Sequence, residues 1–233
     1  HVEHRELAGA FASRADADGL VQDDAAERGF SRYVDWLNSH RTPQSLRQDR
    51  FIEAPLCHPS VMLWRAPLEA LGGYRDVGAP EDYDLWLRYW AAGHTLGVLP
   101  QVLTVWRDHG ARYTRTDARC APAALMGLRH DHLRAGPLAG ERHALVWGAG
   151  RFGRLHLDAL QARGVTVDAV LDVSPKRIGG TLRGVPIVAF DSLGPPDGRL
   201  LLLAVGSPGA QGKMIAWLEA RGWQAERDWL ALQ

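Results

Sequence analysis

Apolar positions along this chain follow two rhythms, one in each half. In the first half helical spacing dominates: Phe30, Tyr33, Val34 and Leu37 fall on one face and predict an amphipathic helix ending near Asn38. Thr42-Pro43 starts a short helix, with Thr42 as N-cap and the proline at the first helical position. From Phe51 to Arg65 the chain reads as extended, cut into short pieces by Pro55 and Pro59. A helix over Pro67–Leu71 stops at Gly72-Gly73. Pro80 then precedes Glu81-Asp82-Tyr83-Asp84-Leu85-Trp86-Leu87-Arg88-Tyr89-Trp90, a predicted helix that stops at Gly93. Leu85, Trp86, Tyr89 and Trp90 share one face of it, and three acids crowd its first turn. Val98 to Trp106 reads as strand interrupted by Pro100, and a further helix is predicted over 122–134.

Gly136-Pro137-Leu138-Ala139-Gly140 reads as a linker, and the rhythm changes after it. Ala144–Trp147 is a short buried strand that runs into Gly148-Ala149-Gly150-Arg151-Phe152-Gly153. A helix follows, with Phe152, Leu155, Ala159 and Leu160 expected inward, and stops at Gly164. Strand Val165–Leu171 ends in Asp172, and Leu200–Val205 is another buried strand, followed by a helix carrying Met214, Ile215 and Leu218. Alternating strands and helices imply a parallel sheet with right-handed crossovers. The expected class is therefore α/β, in two domains over 1–135 and 141–233.

Composition narrows the function classes. At 233 residues with 46% hydrophobic and 23% charged, the chain is ordinary globular material. Lys plus Arg and Asp plus Glu balance at 27 each, so no basic footprint for nucleic acid and no polybasic membrane patch is present. No apolar run approaches the roughly 20 residues of a membrane span. Cys57 and Cys120 are too few for a disulfide framework and lack metal-site spacing, which fits a reducing, cytoplasmic compartment. Oligomeric state is left open.

The acids at 81 and 82 are the first candidate chemistry. A carboxylate at a helix N-terminus is expected to have a lowered pKa and stay ionised, and at the lip of a cleft it can take a proton from an attacking hydroxyl. Acids also belong in any first helical turn, and the neighbouring motifs decide between the readings. Ala54-Pro55-Leu56-Cys57-His58-Pro59-Ser60-Val61-Met62, Gly72-Gly73-Tyr74, Glu81-Asp82-Tyr83-Asp84-Leu85-Trp86-Leu87-Arg88, Leu99-Pro100-Gln101-Val102-Leu103 and Trp106-Arg107-Asp108-His109 occur in that order. Together they resemble inverting family-2 glycosyltransferases over roughly residues 30–120.

That resemblance implies a GT-A type fold, of which this stretch would be the acceptor-side half, a nucleotide-sugar donor and a saccharide acceptor. It implies that Asp82 is the general base, with Glu81 shaping the acceptor pocket. His109 would lie near the metal and Arg107 near the diphosphate, where a cation offsets the leaving group's charge. His58 and Trp86 are candidate substrate contacts, although a buried hydrogen-bonding role for His58 and a core role for Trp86 are the blander readings. The family holds Mn²⁺ or Mg²⁺ with an Asp-x-Asp after a buried strand. Asp16-Ala17-Asp18 has those letters, but Phe11–Ala15 reads as a poor buried strand, so the pair is expected to be a solvated acidic loop. The donor half is then expected upstream of His1, leaving this chain catalytically incomplete.

Gly148-x-Gly150-x-x-Gly153 follows a strand and opens a helix, the context that the dinucleotide fingerprint requires. Its backbone amides can approach a diphosphate, and Asp172 ends the second strand about where a ribose-binding acid belongs. With Asp172-Val173-Ser174-Pro175-Lys176-Arg177 and Gly184-Val185-Pro186-Ile187, this half resembles short Rossmann-like domains found with sugar-modifying enzymes, which implies a bound nucleotide, NAD(P) or nucleotide-sugar, or else an assembly role. The rival readings are accordingly an oxidoreductase or regulatory module centred on Gly148–Gly153 and a non-catalytic scaffold. The pairs His1/His4 and His130/His132 are read as non-ligands for want of a third partner.

Overall fold

The computed structural model describes residues 6–16, 25–108, 111–207 and 209–233, with side chains from residue 29 onward apart from 106–108. The chain divides into two compact units between Leu125 and Met126.

The first unit contains a two-stranded parallel sheet of β1 (Glu6–Asp16) and β2 (Leu96–Asp108). Phe11–Ala15 was expected to make a poor strand, yet it lies within β1, because pairing with β2 satisfies its backbone whatever its weak propensity. Asp16 ends that strand, and Asp18 is outside the described residues. The register slips between Ala10↔Leu99 and Phe11↔Val102, which leaves Pro100 and Gln101 as a bulge. That is where a strand tolerates a residue with no N–H to donate.

Between the strands lie α1 (Ala25–Ser39), α2 (Pro43–Gln48), α3 (Arg65–Ala70) and α4 (Glu81–Ala91). Phe30, Val34 and Leu37 of α1 are buried, as their spacing requires. Thr42 caps α2 in a capping box: its hydroxyl accepts from Ser45 N–H, and Ser45 returns the bond to the Thr42 N–H. Residues 51–64 pair in no sheet: turns open the segment, a 3₁₀ turn at His58–Ser60 carries Pro59 near its start, and Cys57, Val61 and Trp64 around it have the extended backbone expected. Helix α4 is the centre of the unit, for Tyr83, Asp84, Leu85, Trp86, Leu87, Tyr89 and Trp90 are all buried. Apolar contact on nearly every side makes it a core helix, not one with a single inward face. Tyr83 ties it to the preceding loop by donating its hydroxyl to Arg50 O at 2.6 Å. Val102, Leu103 and Val105 of β2 are exposed, so an apolar stretch of strand is left uncovered.

Helix α5 (Tyr113–Thr116) precedes α6 (Pro122–Ala135), and the unit boundary falls inside α6. The glycine-rich stretch at 136–140 is thus a turn within the second unit instead of its border. The reason is that α6 is bonded to the helix α7 (Arg151–Gln161) and the turn after it. Arg163 donates to Asp131 at 2.7 Å and to Gly127 O at 3.0 Å.

The second unit is a six-stranded sheet of β3 (Ala144–Trp147), β4 (Val167–Asp172), β5 (Thr181–Leu182), β6 (Val185–Ala189), β7 (Leu200–Leu203) and β8 (Trp229–Ala231). Its order is β5-β6-β4-β3-β7-β8, and every pairing is parallel except β5 with β6. This is a Rossmann-like α/β arrangement. Strands β3 and β7 are buried along their whole length, as the runs Ala-Leu-Val-Trp and Leu-Leu-Leu-Leu demand of a sheet covered on both faces. Leu145, Trp147, Leu201, Leu203 and Trp229 form a core with Met214 and Leu218 of α8 (Ala210–Glu219). In α7 the buried residues are Gly153, His156, Leu157 and Leu160; Leu160 is inward as expected and Phe152 and Ala159 are partly so, while Leu155 is exposed and His156 and Leu157 take its place.

His130 and His156 are fully buried and face each other at 3.3 Å, so the partner of His130 is not His132. His130 Nδ1 lies 2.8 Å from Met126 O and must donate to it, which leaves its Nε2 to accept from His156 Nδ1. His156 Nε2 then finds no hydrogen-bond partner among the described residues. Burial pushes the pKa values down from 6.5 to about 4 for His130 and about 3 for His156. An unfolded chain would take up both protons near pH 6.5, so folding stability is constant above that pH and falls as pH drops toward 4. We predict a steep loss of thermal stability of the second unit across this window, and a flatter profile in the double variant H130L/H156L, followed by calorimetry.

Candidate functional site

In the first unit the acidic helix start opens onto a cavity of about 730 Å³ whose lining includes Glu81, Asp82, His58, Glu53, Tyr33 and Arg112. Two local features aim Asp82 into it. Pro80, extended at φ −57° and ψ 118°, starts α4, and Asp82 accepts the Tyr83 N–H at 2.8 Å, one of the donors that a helix start leaves over. His58 stands opposite on its 3₁₀ turn, with Nδ1 3.8 Å from Asp82 Oδ2. Its Nε2 is 2.9 Å from the Tyr74 hydroxyl, a side-chain contact where a backbone bond was expected.

The Asp82 carboxyl is held above the ordinary value of 3.8, which corrects the expectation of a lowered pKa. Burial is the largest cause and Glu81 adds to it, whereas the Tyr83 N–H and the charge available to His58 pull the other way without prevailing. An acid so poised is a stronger base once ionised.

The loop carrying Tyr74 is fixed by two residues of the same motif. Asp84, 1% exposed, receives Arg75 through Nε at 3.0 Å and Nη2 at 2.7 Å, and Arg88 Nε at 2.8 Å. Arg88 spends its other nitrogens on Leu71 O and Gly73 O, both at 2.6 Å. Gly72 and Gly73 each have positive φ, which bends the loop back so that these carbonyls meet the guanidinium. The i,i+4 spacing of Asp84 and Arg88 was a visible signal for this clamp.

Trp86 does not line the cavity. It is completely buried beneath His58, edge-on at 6.0 Å between ring centres, so it is a core residue and not a sugar platform. Arg107 lies in β2, but its side chain, like the whole of His109, is outside the described residues. Among the described residues no three His, Cys, Asp or Glu side chains converge as a metal site. Both thiols are free, and burial raises them, Cys57 to about 11, so neither is poised as a nucleophile at neutral pH. Glu53, Tyr33, Arg112 and Arg115 also face the cavity, brought there from three separate segments that no local spacing could associate.

The second unit has its own cavity, about 690 Å³, at the carboxyl ends of β3, β4 and β7. The connection out of β3 runs to β4 and the one out of its neighbour β7 runs to β8 on the opposite side, and such switch points open a crevice. Gly148 has φ +123°, and a Cβ there would stand 2.8 Å from Val205 and 2.9 Å from Ala204 O. A Cβ on Gly153 would lie 1.6 Å from Gly148 O. Gly150 is the N-cap of α7, and open space surrounds it. Asp172 accepts from Ala149 N–H at 2.8 Å, from Ser174 N–H at 2.7 Å and from Arg177 at 3.2 Å. Burial works against its charge, yet those bonds outweigh it and keep the carboxyl below 3.8. Trp147, Phe190 and Trp217 pack at 5.4–5.5 Å between ring centres and wall the far side.

No protein-family model matches the chain, and no curated protein matches it. Among solved structures there is similarity to RSP, a Rex-family repressor, and to RSP in complex with β-NADH, each 14% identical with a TM-score of 0.31. The match covers 46% of this chain and 59% and 60% of those chains. So low a TM-score carries no inference about ligand or activity. No helix among the described residues is long and apolar enough to cross a membrane.

The clamp and the cavity acid have opposite energetic signs. Asp84→Ala strands two cations, one of them nearly buried, and is predicted to cost about 3–5 kcal/mol. Asp82→Asn removes a carboxylate that the fold disfavours in its charged form, so stability at pH 7 should be unchanged or higher. Urea unfolding of the two variants checks both statements.

Proposed function

We propose that the first unit supplies the acceptor side of an inverting glycosyltransferase, working on a nucleotide-sugar donor and a saccharide acceptor in a reducing, cytoplasmic compartment. The observation that supports this is the cavity carboxylate Asp82: aimed from a helix start, raised in pKa, and faced by His58. An acceptor hydroxyl bonded to Asp82 gives up its proton as its oxygen forms the new bond to the anomeric carbon. The bond from that carbon to the nucleotide diphosphate breaks, and the leaving group departs with its electron pair, which inverts the centre. His58 facing Asp82 favours the ionised, proton-accepting form, and Glu81 borders the acceptor hydroxyl's approach. Arg112 and Arg115 line the same cavity and oppose negative charge as it develops.

A second reading concerns the other unit. Gly148 and Gly153 sit where no side chain fits, beside an open cavity, and this supports a site for a nucleotide approached closely by backbone. No residue set for hydride transfer accompanies it, so a binding role suits it better than an oxidoreductase.

The test is release of nucleoside diphosphate by the full-length protein from a panel of sugar nucleotides with Mn²⁺ and saccharide acceptors. Wild-type release that falls at least about 10²-fold in Asp82→Asn, the scale of a lost general base, is expected. Release that is equal in both would remove Asp82 from the reaction.

A further inference from the structure

The loop after β4 departs from what a dinucleotide site of this topology ordinarily needs. In such sites the acid ending the second strand accepts hydrogen bonds from the ribose hydroxyls. Asp172 occupies that place but is only 4% exposed, and three donors already occupy its two oxygens. Two of them are backbone amides, Ala149 in the glycine turn and Ser174 in the loop beyond β4, so the carboxylate links the two segments that frame the cavity. At 4% exposure little of the carboxylate is open to ribose hydroxyls, and Arg177 shares one of its oxygens.

Arg177 is placed differently. It lines the cavity, its side chain is half exposed, and it bonds Asp172 through one nitrogen, while its other N–H groups find no acceptor among the described residues. Arg151 at the start of α7 and Lys213 on α8 line the same cavity, with no acidic partner among the described residues. Asp172 is the single acid in the lining. The rim therefore carries three cations against one committed carboxylate, and one of those cations stands where a ribose would arrive.

We infer that Asp172 is a brace and not a ribose ligand, and that Arg177 makes this cavity select a dinucleotide with a phosphate on its ribose, of the NADP type, over the unphosphorylated NAD type. The inference rests on the nucleotide reading of the second unit. The diphosphate lies over the glycine turn, Arg151 and Lys213 neutralise it, and Arg177 forks onto the additional phosphate, the planar bidentate recognition to which guanidinium is suited. Trp147 and Trp217 in the wall supply an intrinsic fluorescence signal for occupancy.

The experiment is titration of the full chain with NADP⁺, NAD⁺ and UDP-glucose, followed by tryptophan fluorescence and calorimetry. NADP⁺ is expected to bind at least about tenfold more tightly than NAD⁺, the worth of one charge-assisted contact. Arg177→Gln should bring NADP⁺ down to the level of NAD⁺. Asp172→Asn, as loss of a brace, should lower thermal stability and weaken both dinucleotides alike. Equal affinities in the wild type would overturn the inference while leaving the nucleotide reading standing, as would tighter binding of UDP-glucose. So would a selective loss of NAD⁺ in Asp172→Asn, or an equal loss of both ligands in Arg177→Gln. If none of the three binds, the nucleotide reading falls together with the inference.

Discussion

The buried carboxylate of Asp84 is the constraint on which the first unit's site depends. A charge 1% exposed in a core helix is tolerable only if its partners are close and fully directed, and Arg75 and Arg88 supply three short bonds to it. Arg88 is in turn held by carbonyls of the 71–73 turn, so the helix and the loop are one hydrogen-bonded body. Tyr74 follows directly on that turn and fixes the imidazole of His58, which faces Asp82. The chain of dependence thus runs from a structural acid, through a loop and a histidine, to the cavity acid Asp82 two residues before it in sequence.

The second unit repeats the division of labour by other means. Asp172 is the acid that a sequence reading selects, and it too is consumed in holding a turn, here the glycine turn at Ala149. In both units burial and hydrogen bonding decide which carboxylate is structural. Asp84 and Asp172 are nearly inaccessible and each takes three donors, whereas the Asp82 side chain is about one-fifth exposed, with backbone amides and one distant imidazole as its partners. Burial and directed donors hold the first two as structural charges; the third is open to the cavity.

Much of this was legible in the residues. The Thr42-Pro43 helix start, the stops at Gly72-Gly73 and Gly93, the four inward residues of α4, and the β3–glycine turn–α7 unit all follow from local pattern, because each is settled by near neighbours. The misreadings share a cause of the opposite kind. β1 draws its stability from pairing with β2, some ninety residues distant, so Phe11–Ala15 carries little strand signal of its own. On α7 Leu155 yields its inward place because a polar residue, His156, is buried beside it, satisfied on one side by His130 from α6. That pairing also draws α6 into the second unit and moves the boundary away from the obvious glycine-rich turn. Trp86 looked like a sugar platform by residue type alone, and only its position on α4 shows it to be core.

The pKa of Asp82 shows why position outweighs motif for function too. A helix start favours the ionised form by roughly 0.3–1 kcal/mol at an exposed site, and here the amides of Tyr83 and of Asp82 itself act in that direction. Removing most of the surrounding water disfavours that form by more, and the neighbouring Glu81 adds repulsion. The balance therefore leaves a carboxylate that is costly to ionise and correspondingly eager for a proton. For a base that must deprotonate a weakly acidic hydroxyl this is the useful direction, provided that something keeps it ionised before the substrate arrives. His58 is the group placed to do so: its distance of 3.8 Å is too long for a hydrogen bond but short enough for its charge to act across a cavity of restricted water. The two acids of one helical turn thus differ in setting because one is neutralised at contact distance by arginine and the other is only faced, at longer range, by an imidazole.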